Sequence, residues 1–210
     1  DRVMHASTVA ADCALYECWS TLCAGGTVAV LDQPKPSVEG IAALFRRHQV
    51  TLALFYAGLF HVVAESALDA LASLRVIGAG GDVMSPVMVA RVKKAYPALR
   101  VMNVYGPTEG CVFSSIHEVV EADLAGGPLP IGRAEPHGDC LVVDDDLRPV
   151  PEGEPGQMVL TGDGVADGYL NLPDQTREKF VPDPRPGVVD RAYLTGDLVR
   201  KRADGVLEFL

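Results

Sequence analysis

The stretch from Val101 to Glu109 reads VMNVYGPTE and decides the fold that we expect for this chain. Its first four residues, Val101–Val104, form a short apolar run of the kind found in a strand that is buried on both faces of a sheet. A Gly-Pro turn then ends the strand and is followed directly by the hydroxyl of Thr108 and the carboxylate of Glu109. Ligands of open α/β sheets bind outside the carboxyl ends of strands, so this loop is predicted to carry chemistry.

Three apolar runs upstream repeat the strand pattern and alternate with amphipathic stretches. The runs are Thr27–Leu31, Thr51–Phe55 and Leu74–Ile77. Apolar residues recur at helical spacing in the stretches around them, at Leu15, Trp19 and Leu22 within Cys13–Ala24, at Val38, Ile41, Leu44 and Phe45 within Ser37–His48, and at Val89, Val92 and Tyr96 after Ser85-Pro86. Strands that alternate with helices predict an α/β fold with a parallel sheet flanked by helices.

The residue composition of the chain changes after about residue 120. Prolines become frequent and divide the sequence into pieces too short for long helices. Asp139–Asp144 and Gly156–Thr161 are predicted strands, and the clusters of Asp, Pro and Gly between them are predicted turns. We therefore expect an α/β subdomain over residues 1–120 and a small β-rich subdomain, in the form of a distorted barrel, over residues 121–210.

Composition and charge exclude several classes of protein. The 210 residues carry a formal net charge of −10, which would repel a nucleic-acid backbone. No apolar run reaches the ~18–20 residues that a membrane-spanning helix needs, and the first residues lack the pattern of a secretory signal. The five cysteines contain no Cys-x-x-Cys pair, which argues against a disulfide framework or a zinc site. We expect a cytoplasmic protein with reduced thiols, without a nucleic-acid or membrane partner.

One glycine-rich stretch invites a dinucleotide-binding interpretation, which its spacing excludes. After a predicted strand the chain reads GAGGDV from Gly78 to Val83. A G-x-G-x-x-G fingerprint would require a small residue where Val83 stands. The sequence also contains no Walker-type phosphate loop, no G-x-S-x-G elbow and no histidines at metal-ligand spacing.

The loop after Val104 offers groups that suit phosphate chemistry. The carboxylate of Glu109 can hold Mg²⁺ against phosphate oxygens, and the hydroxyl of Thr108 can hydrogen-bond a phosphoryl group. The same residues would equally serve as a plain turn followed by a helix N-cap. The residues of this loop alone leave both hypotheses open.

Three motifs, in this order along the chain, resemble those of one family. Asn103–Glu109 resembles N-x-Y-G-P-T-E, Gly162–Leu170 resembles G-x-G-V-A-R-G-Y-L, and Tyr193–Leu198 resembles Y-R-T-G-D-L. These are motifs of the adenylation domains of nonribosomal peptide synthetases, in the superfamily that includes acyl-CoA synthetases and luciferases. The opening residues and the helix end at Leu22–Gly26 are also similar, so the resemblance extends over essentially the whole chain.

The resemblance implies a nucleotide site for ATP and Mg²⁺. Asn103 would bind the adenine edge and Tyr105 would pack on the adenine face. Thr108 would contact the α-phosphate and Glu109 would bind Mg²⁺, which makes these two the implied catalytic residues. The other implied nucleotide-binding residues are Gly81, Asp82 and Val83 on the opposite wall of the adenine slot, Asp197 at the ribose hydroxyls, and Phe209 where the family usually has a tyrosine.

The resemblance also implies a pocket for the carboxylate substrate. Its lining would be Asp12, Cys13, Tyr16, Leu54, Gly78, Gly80, Val104, Val112 and Phe113. Asp12 would pair with the α-ammonium group of an amino acid, although an aspartate there is equally suited to cap the following helix. Most of the other residues are apolar or small, which favours an apolar side chain. The family's F-D-x-S is Ala11-Asp12-Cys13-Ala14 here, so a fatty or aryl acid stays open.

The implied reaction joins a carboxylate to ATP, gives an acyl-AMP and pyrophosphate, and then transfers the acyl group to the phosphopantetheine thiol of a carrier protein. The family's phosphate loop and C-terminal subdomain are not in the sequence. We therefore expect the central part of such a domain, with little or no adenylation by itself. Two other hypotheses stay open: an acyl-CoA or amide synthetase acting on an acid without an amine, and a substrate-binding module without turnover.

Overall fold

The computed structural model describes residues 1–33 and 35–210 and contains two compact units. The first unit comprises residues 1–103 and 118–129, and the second comprises residues 104–117 and 130–210. The chain therefore passes from one unit to the other three times. The expected boundary between an α/β and a β-rich subdomain after residue 120 stays a prediction.

The first unit is built on a parallel sheet. Its strands are β1 (Arg2–His5), β2 (Thr27–Val30), β3 (Leu52–Tyr56), β4 (Val76–Gly80) and β5 (Arg100–Tyr105), in the order β2-β1-β3-β4-β5, and the last two residues of β5 belong to the second unit. β1 runs parallel to β2 and to β3, and β3 runs parallel to β4. The helices are α1 (Cys13–Leu15), α2 (Thr21–Cys23), α3 (Val38–His48), α4 (Ala57–Ser66) and α5 (Pro86–Ala95), with a π-helical turn at Tyr16–Ser20 and 3-10 turns at Leu68–Ser73 and Glu121–Ala125.

Helices α3 and α5 form where their sequence patterns predict them. Each begins at a serine whose hydroxyl accepts a hydrogen bond from a backbone N–H of the first turn, Ser37 in α3 and Ser85 in α5. The residues that they bury are Ile41, Ala42, Leu44 and Phe45 in α3 and Val89 and Val92 in α5. Apolar spacing at the helical period therefore identified the faces that pack into the core.

The first predicted helix turns a different face inward than its apolar residues indicate. Leu15, Trp19 and Leu22 are 51, 64 and 53% exposed, whereas Ala14, Glu17 and Thr21 are buried. Ala14, Glu17 and Thr21 follow one another at spacings of three and four residues, so they share one side of the segment, and Leu15, Trp19 and Leu22 lie on the other side. The expected apolar face is wrong, because the buried centre of this segment holds a hydrogen-bonded carboxylate.

Helix α4 was not predicted from the sequence. It follows β3 directly and buries Ala57, Phe60, Val63 and Ala64. Because strand and helix share one continuous apolar stretch, periodicity does not separate them. Within the described part of the chain, no helix combines the length and the apolar character that crossing a membrane requires.

The second unit consists mainly of antiparallel strands. A five-stranded sheet has the order β10-β11-β9-β8, with β12 beside β11, and β6 pairs antiparallel with β7. The strands are β6 (Ser115–Glu118), β7 (Arg133–Ala134), β8 (Gly138–Val143), β9 (Pro155–Gly162), β10 (Phe180–Pro182), β11 (Arg191–Lys201) and β12 (Leu207–Phe209), with α6 (Pro173–Lys179) and a 3-10 turn at Thr108–Gly110. The predicted fold class, a parallel sheet flanked by helices and followed by a β-rich part, is confirmed.

Strand β11 contains a bulge. Its pairing with β9 skips the three residues Thr195–Asp197, which lie opposite Met158 alone. Gly196 adopts φ +83°, and the hydroxyl of Thr195 donates a hydrogen bond to the Met158 carbonyl at 2.8 Å. Bulges bend a strand and re-aim its side chains. Asp197 therefore leaves the regular alternation of the strand.

Candidate functional site

Four residues lie in matching positions on the neighbouring strands β3 and β4 of the first unit. In the parallel register Leu54 pairs with Gly78, and Tyr56 pairs with Gly80. Residues two apart in a strand point to the same face, so these positions share one face of the sheet. The two glycines carry no side chain, so the backbone of β4 is not covered by a side chain of its own at these positions. This brings together three of the predicted substrate-lining residues.

Tyr56 joins two predicted subsites, although the sequence analysis assigned it no role. Its hydroxyl lies near the thiol of Cys13, and its ring lies against Gly81. A Cβ at Gly81 would come within 3.0 Å of Cδ1 of Tyr56, and Gly81 has φ +74°. The positive φ favours a glycine here, and a side chain would also press against the Tyr56 ring. The sequence could have indicated a role for Tyr56, because Tyr56 lies two residues after Leu54, at the carboxyl end of β3.

Asp12 lies at the N-terminus of α1. Its Oδ1 accepts a hydrogen bond from the backbone N–H of Cys13 at 2.7 Å, whereas a side-chain cap ordinarily reaches the second or third N–H of a helix. Burial, assisted by the charge of Asp12, raises the pKa of the Cys13 thiol to about 11. The thiol is therefore neutral at pH 7. Tyr16, half-buried, begins the π-helical turn that follows α1.

Glu17 is the centre of a buried hydrogen-bond network that the sequence analysis did not identify. Its side chain is 1% exposed. One carboxylate oxygen accepts hydrogen bonds from His5 Nδ1 at 2.7 Å and from the backbone N–H groups of Ala6 and Ser7 at 3.1 Å. The other oxygen accepts from the Ser7 hydroxyl at 2.7 Å. These bonds fasten the segment that follows β1 to the helical segment that begins beside Asp12.

Four predicted nucleotide-binding residues lie in the first unit: three in the turn after β4 and one asparagine on β5. Gly81, Asp82 and Val83 are exposed after β4, and Asp82 Oδ1 accepts a hydrogen bond from the Val83 N–H at 2.7 Å. Asn103 is only 6% exposed. Its side-chain amide donates to the Leu129 carbonyl at 3.5 Å, which helps to fix the orientation of the amide.

In the second unit, Tyr105 and Asp197 meet. The Tyr105 hydroxyl donates a hydrogen bond to Oδ2 of Asp197, a residue 92 positions later in the chain. Burial and this contact raise the pKa of Tyr105 well above its ordinary range, so the phenol remains a donor. The backbone N–H of Asp197 donates to the Thr195 hydroxyl at 3.0 Å. Two of the three sequence motifs are thus joined by one side-chain contact.

Phe209 and Val104 occupy strand positions in the second unit. Phe209 lies on β12 opposite Val199 of β11. Phe209 and Tyr105 are both half-buried and pack against the same hydrophobic core. Val104 is 8% exposed. The side chains of Tyr105 and Phe209 are therefore both supported by this core.

Thr108 and Glu109 form the short 3-10 turn that follows the Gly-Pro turn, with the Thr108 side chain exposed. Oε1 of Glu109 accepts a hydrogen bond from the Tyr169 hydroxyl at 2.5 Å, and that hydroxyl lies 3.4 Å from the Tyr193 hydroxyl. Burial and the contact with Glu109 raise the pKa of Tyr169. Tyr169 belongs to the second motif, and the sequence analysis assigned it no role.

Glu109 is a suitable ligand for Mg²⁺. Mg²⁺ in proteins is usually held by one or two carboxylates, with phosphate oxygens and water as its other ligands. Glu109 is half-buried and its carboxylate is oriented by a phenol, which fits that arrangement. Among the residues that the structure describes, no group of three or more His, Cys, Asp or Glu could enclose an ion. An ion at Glu109 would therefore be shared with a bound ligand.

The loop beyond Glu109 has a strained backbone and packs closely against Gly106. Cys111 and Val112 have φ of 62° and 65°, which for a β-branched residue such as Val112 costs about 1–3 kcal/mol. The Phe113 N–H donates to the Cys111 carbonyl at 2.8 Å and closes a tight turn. A Cβ at Gly106 would lie 2.3 Å from the Val112 carbonyl oxygen. The loop that carries Val112 and Phe113 therefore packs so closely on residue 106 that only a glycine fits there.

Comparison with known proteins agrees with these features. A family model described as AMP-binding enzyme matches residues 1–170. The chain is 34% identical over its whole length to tyrocidine synthase 3 of Brevibacillus parabrevis, of which it spans 3%. It is 33% identical over its whole length to gramicidin S synthase 2 of Brevibacillus brevis, of which it spans 5%. The chain spans only a small part of each relative, so this likeness does not show the activity of the whole protein.

Solved structures give the same result. With a TM-score of 0.94 and 33% identity, all of the chain matches 36% of holo-PA1221, a nonribosomal peptide synthetase protein that contains adenylation and PCP domains and is bound to a vinylsulfonamide inhibitor. With a TM-score of 0.92 and 33% identity, it matches 23% of the AMPPNP-bound form of the nonribosomal peptide synthetase FmoA3. Because the family model covers residues 1–170 of the 210, the chain belongs to the AMP-binding enzyme family.

Proposed function

We propose that the chain forms the nucleotide- and substrate-binding part of an adenylation domain that activates an amino acid with ATP. The amino-acid carboxylate would attack the α-phosphorus of ATP, giving an aminoacyl-AMP and releasing pyrophosphate. The acyl group would then pass to the phosphopantetheine thiol of a carrier protein, leaving AMP. The observation that carries this proposal is the Tyr105–Asp197 contact, which brings two motifs of the AMP-binding family to one place.

The nucleotide would be held by its base and its sugar. The ring of Tyr105 would pack on the adenine face, as aromatic rings do, and the fixed amide of Asn103 would read the adenine edge. Asp197 would accept hydrogen bonds from the ribose hydroxyls, a task for which a carboxylate has enough acceptor sites. Gly81–Val83 and Phe209 would complete the slot. The AMPPNP bound to the similar FmoA3 supports ATP as the nucleotide.

The phosphates would be handled by the turn after β5. Glu109 would hold Mg²⁺, which offsets the negative charge of the phosphate oxygens when it is bound. Tyr169 would keep the Glu109 carboxylate in one orientation, since its hydroxyl already donates to Oε1. The exposed hydroxyl of Thr108 would donate to an oxygen of the α-phosphate and stabilise the charge that develops there.

The substrate would be an amino acid with an apolar side chain. Asp12 would pair with its α-ammonium group, since one carboxylate oxygen is engaged by Cys13 N–H and the carboxylate can accept more than one hydrogen bond. The raised pKa of Cys13 keeps its thiol uncharged. The pocket residues that we propose around the side chain are Cys13, Tyr16, Leu54, Gly78, Gly80, Val104, Val112 and Phe113. Apart from the Tyr16 hydroxyl, these contribute apolar or small groups.

The test is amino-acid-dependent ATP–pyrophosphate exchange in the full-length protein, with wild type beside Asp12→Asn across the proteinogenic amino acids. We expect exchange with one apolar amino acid and at least a tenfold loss in Asp12→Asn, because a charge-assisted pair is removed. Asp69→Asn, at an aspartate of the same unit that lies outside the proposed site, is the matched control and should exchange normally.

Two outcomes would contradict the proposal. Exchange that depends only on acids without an amine, unchanged in Asp12→Asn, would move the chain to the acyl-CoA or amide synthetases. Binding of an amino acid without any exchange would indicate a binding module without turnover.

A further inference from the structure

The side chain of Asp197 depends on a partner from outside its own strand. It lies in the bulge of β11, where the ladder with β9 is interrupted. Its backbone N–H is directed to the Thr195 hydroxyl and not to a neighbouring strand. A side chain on such a segment lacks the cross-strand neighbours that fix rotamers in a regular sheet.

Tyr105 supplies that partner from a well-fixed position. It ends β5, its carbonyl accepts a hydrogen bond from the Ser114 N–H at 2.8 Å, and its ring packs against the core of the second unit. Its hydroxyl reaches Oδ2 of Asp197. A donor on a rigid strand thus holds an acceptor on a bulged one. Hydrogen bonds to an ionised acceptor are among the stronger ones in proteins.

We propose that the Tyr105 hydroxyl is a positioning group that holds the Asp197 carboxylate in the plane that accepts both ribose hydroxyls, and thereby gives the site its preference for ribonucleotides over 2′-deoxyribonucleotides. This inference rests on the proposed function, because it takes Asp197 as the ribose acceptor. It assigns a separate role to the hydroxyl of Tyr105, in addition to the stacking role of its ring.

The acceptor capacity of the carboxylate permits this arrangement. An ionised carboxylate offers about four acceptor sites on two oxygens. The phenol occupies one of them at Oδ2, and the remaining sites are sufficient for two vicinal hydroxyls. Without the phenol, the carboxylate would have to be ordered at the moment of binding, which costs affinity for each side chain immobilised. That cost weakens the contact with the 2′-hydroxyl, because binding of both hydroxyls requires both carboxylate oxygens of Asp197 in defined places.

The test measures equilibrium binding in the full-length protein and does not depend on turnover. Dissociation constants of ATP and 2′-deoxy-ATP are determined by isothermal titration calorimetry for wild type, Tyr105→Phe, Asp197→Ala and the double variant. Tyr105→Phe keeps the aromatic ring and removes only the hydroxyl. The matched control is Tyr96→Phe, which removes a phenol from the C-terminal end of α5 in the first unit.

We expect wild type to bind ATP roughly tenfold more tightly than 2′-deoxy-ATP, the usual effect of one hydrogen bond to a charged group. In Tyr105→Phe this ratio should fall below about threefold, with 2′-deoxy-ATP binding nearly unchanged, and Asp197→Ala should abolish it. The double variant should have the ratio of Asp197→Ala, because the two groups act as one. Nearly unchanged binding of 2′-deoxy-ATP also reports that Tyr105→Phe is folded.

Three results would overturn the inference. A wild-type ratio that persists in Tyr105→Phe but disappears in Asp197→Ala would leave the proposed function standing and remove the role of the hydroxyl. An equal loss of both nucleotides in Tyr105→Phe would assign Tyr105 a purely structural or stacking role. Wild type that binds neither nucleotide would contradict the proposed function itself.

Discussion

The hydroxyl of Tyr169 lies 2.5 Å from Oε1 of Glu109, although the two residues are 60 positions apart in the chain. The contact joins the loop after β5 to the loop between β9 and α6, within the second unit. It fixes the orientation of the carboxylate that we propose as the Mg²⁺ ligand. Loss of a group that orients a metal ligand typically lowers metal affinity by about 10–100-fold.

Replacement of Tyr169 by phenylalanine should therefore weaken the binding of metal. We expect the Mg²⁺ concentration for half-maximal ATP–pyrophosphate exchange to rise about tenfold, within the range usual for such outer contacts. The KM for the amino acid should not change. Electron paramagnetic resonance of Mn²⁺ in the presence of nucleotide would follow binding directly. Tyr96→Phe is the control, and a metal dependence equal to wild type would contradict the role of Tyr169.

Two glycine substitutions should have opposite effects on stability. In Gly106→Ala the new Cβ would meet the Val112 carbonyl oxygen at 2.3 Å, a backbone atom that cannot move without the loop. We expect the free energy of unfolding to fall by about 2 kcal/mol, a usual cost of overpacking. Gly58→Ala, in the exposed first turn of α4, meets no atom within 4 Å. It should raise stability by about 0.5–1 kcal/mol, because alanine favours the helix.

Urea titrations would measure both variants. Equal effects of the two substitutions would mean that the loop of Val112 does not rest on Gly106. The activity of Gly106→Ala should fall as well, because Val112 and Phe113 would be displaced, whereas Gly58→Ala should keep it.

The buried carboxylate of Glu17 should make a large contribution to the stability of the first unit. In Glu17→Gln one acceptor oxygen becomes an NH₂ donor, which would face the N–H groups of Ala6 and Ser7 or the Ser7 hydroxyl. In either orientation the donors from His5, Ala6 and Ser7 lose an ionised acceptor. Because a hydrogen bond to a charged group contributes about 1.5–3 kcal/mol and a neutral one about 0.5–1.5 kcal/mol, we expect a loss of about 2–3 kcal/mol. The fluorescence of Trp19, two residues away in the same helical segment, would follow unfolding in urea.

An exposed glutamate of the same unit provides the control. Glu65→Gln, near the end of α4, should change the free energy of unfolding by less than about 0.5 kcal/mol. Glu17→Gln with the stability of wild type would show that the network around this carboxylate does not hold the segment after β1.

Alkylation of the cysteines should depend on pH in a way that separates Cys13 from Cys23. Burial, with the charge of Asp12, raises the pKa of the Cys13 thiol from near 9 to about 11. Only the thiolate reacts, so the rise in reactivity of Cys13 moves to higher pH, and at pH 8 its thiolate fraction is roughly 100-fold smaller than that of an unshifted thiol. Mass spectrometry after timed exposure to iodoacetamide would compare it with the exposed Cys23.

Asp12→Asn should partly reverse this effect. Removing the nearby negative charge lowers the cost of the thiolate, so the Cys13 pKa should fall and its alkylation at pH 8 should become faster. The rate at Cys23 should stay the same in this variant. An unchanged Cys13 rate would contradict the close electrostatic contact between the two residues.

Strands and regular helices could be predicted from local pattern, because their burial follows a fixed period. The runs around Leu54 and Val104 are strands, and α3 and α5 bury the predicted faces. Helix α4 was missed because its apolar residues continue those of β3 without a break. The face of the first helical segment was wrong because a charged residue, Glu17, is buried there and is stabilised by partners that no local pattern includes.

The candidate site divides in the same way. Resemblance to motifs identified Tyr105, Glu109 and Asp197 as residues of interest, but contacts such as those from Tyr169 and Tyr56 depend on how distant segments pack. The bulge in β11 depends on pairing with β9, which the residues of β11 do not encode alone. Positioning groups are therefore accessible only from the three-dimensional arrangement.

The separation of Tyr105 and Asp197 has a consequence for synthesis on the ribosome. Tyr105 is made 92 residues before Asp197. At about 5–20 residues per second, Tyr105 exists for roughly 5–20 seconds before its partner is made. Throughout that interval the chain lacks Asp197, which we propose as the ribose acceptor, so bound ATP could not stabilise the nascent chain through this residue.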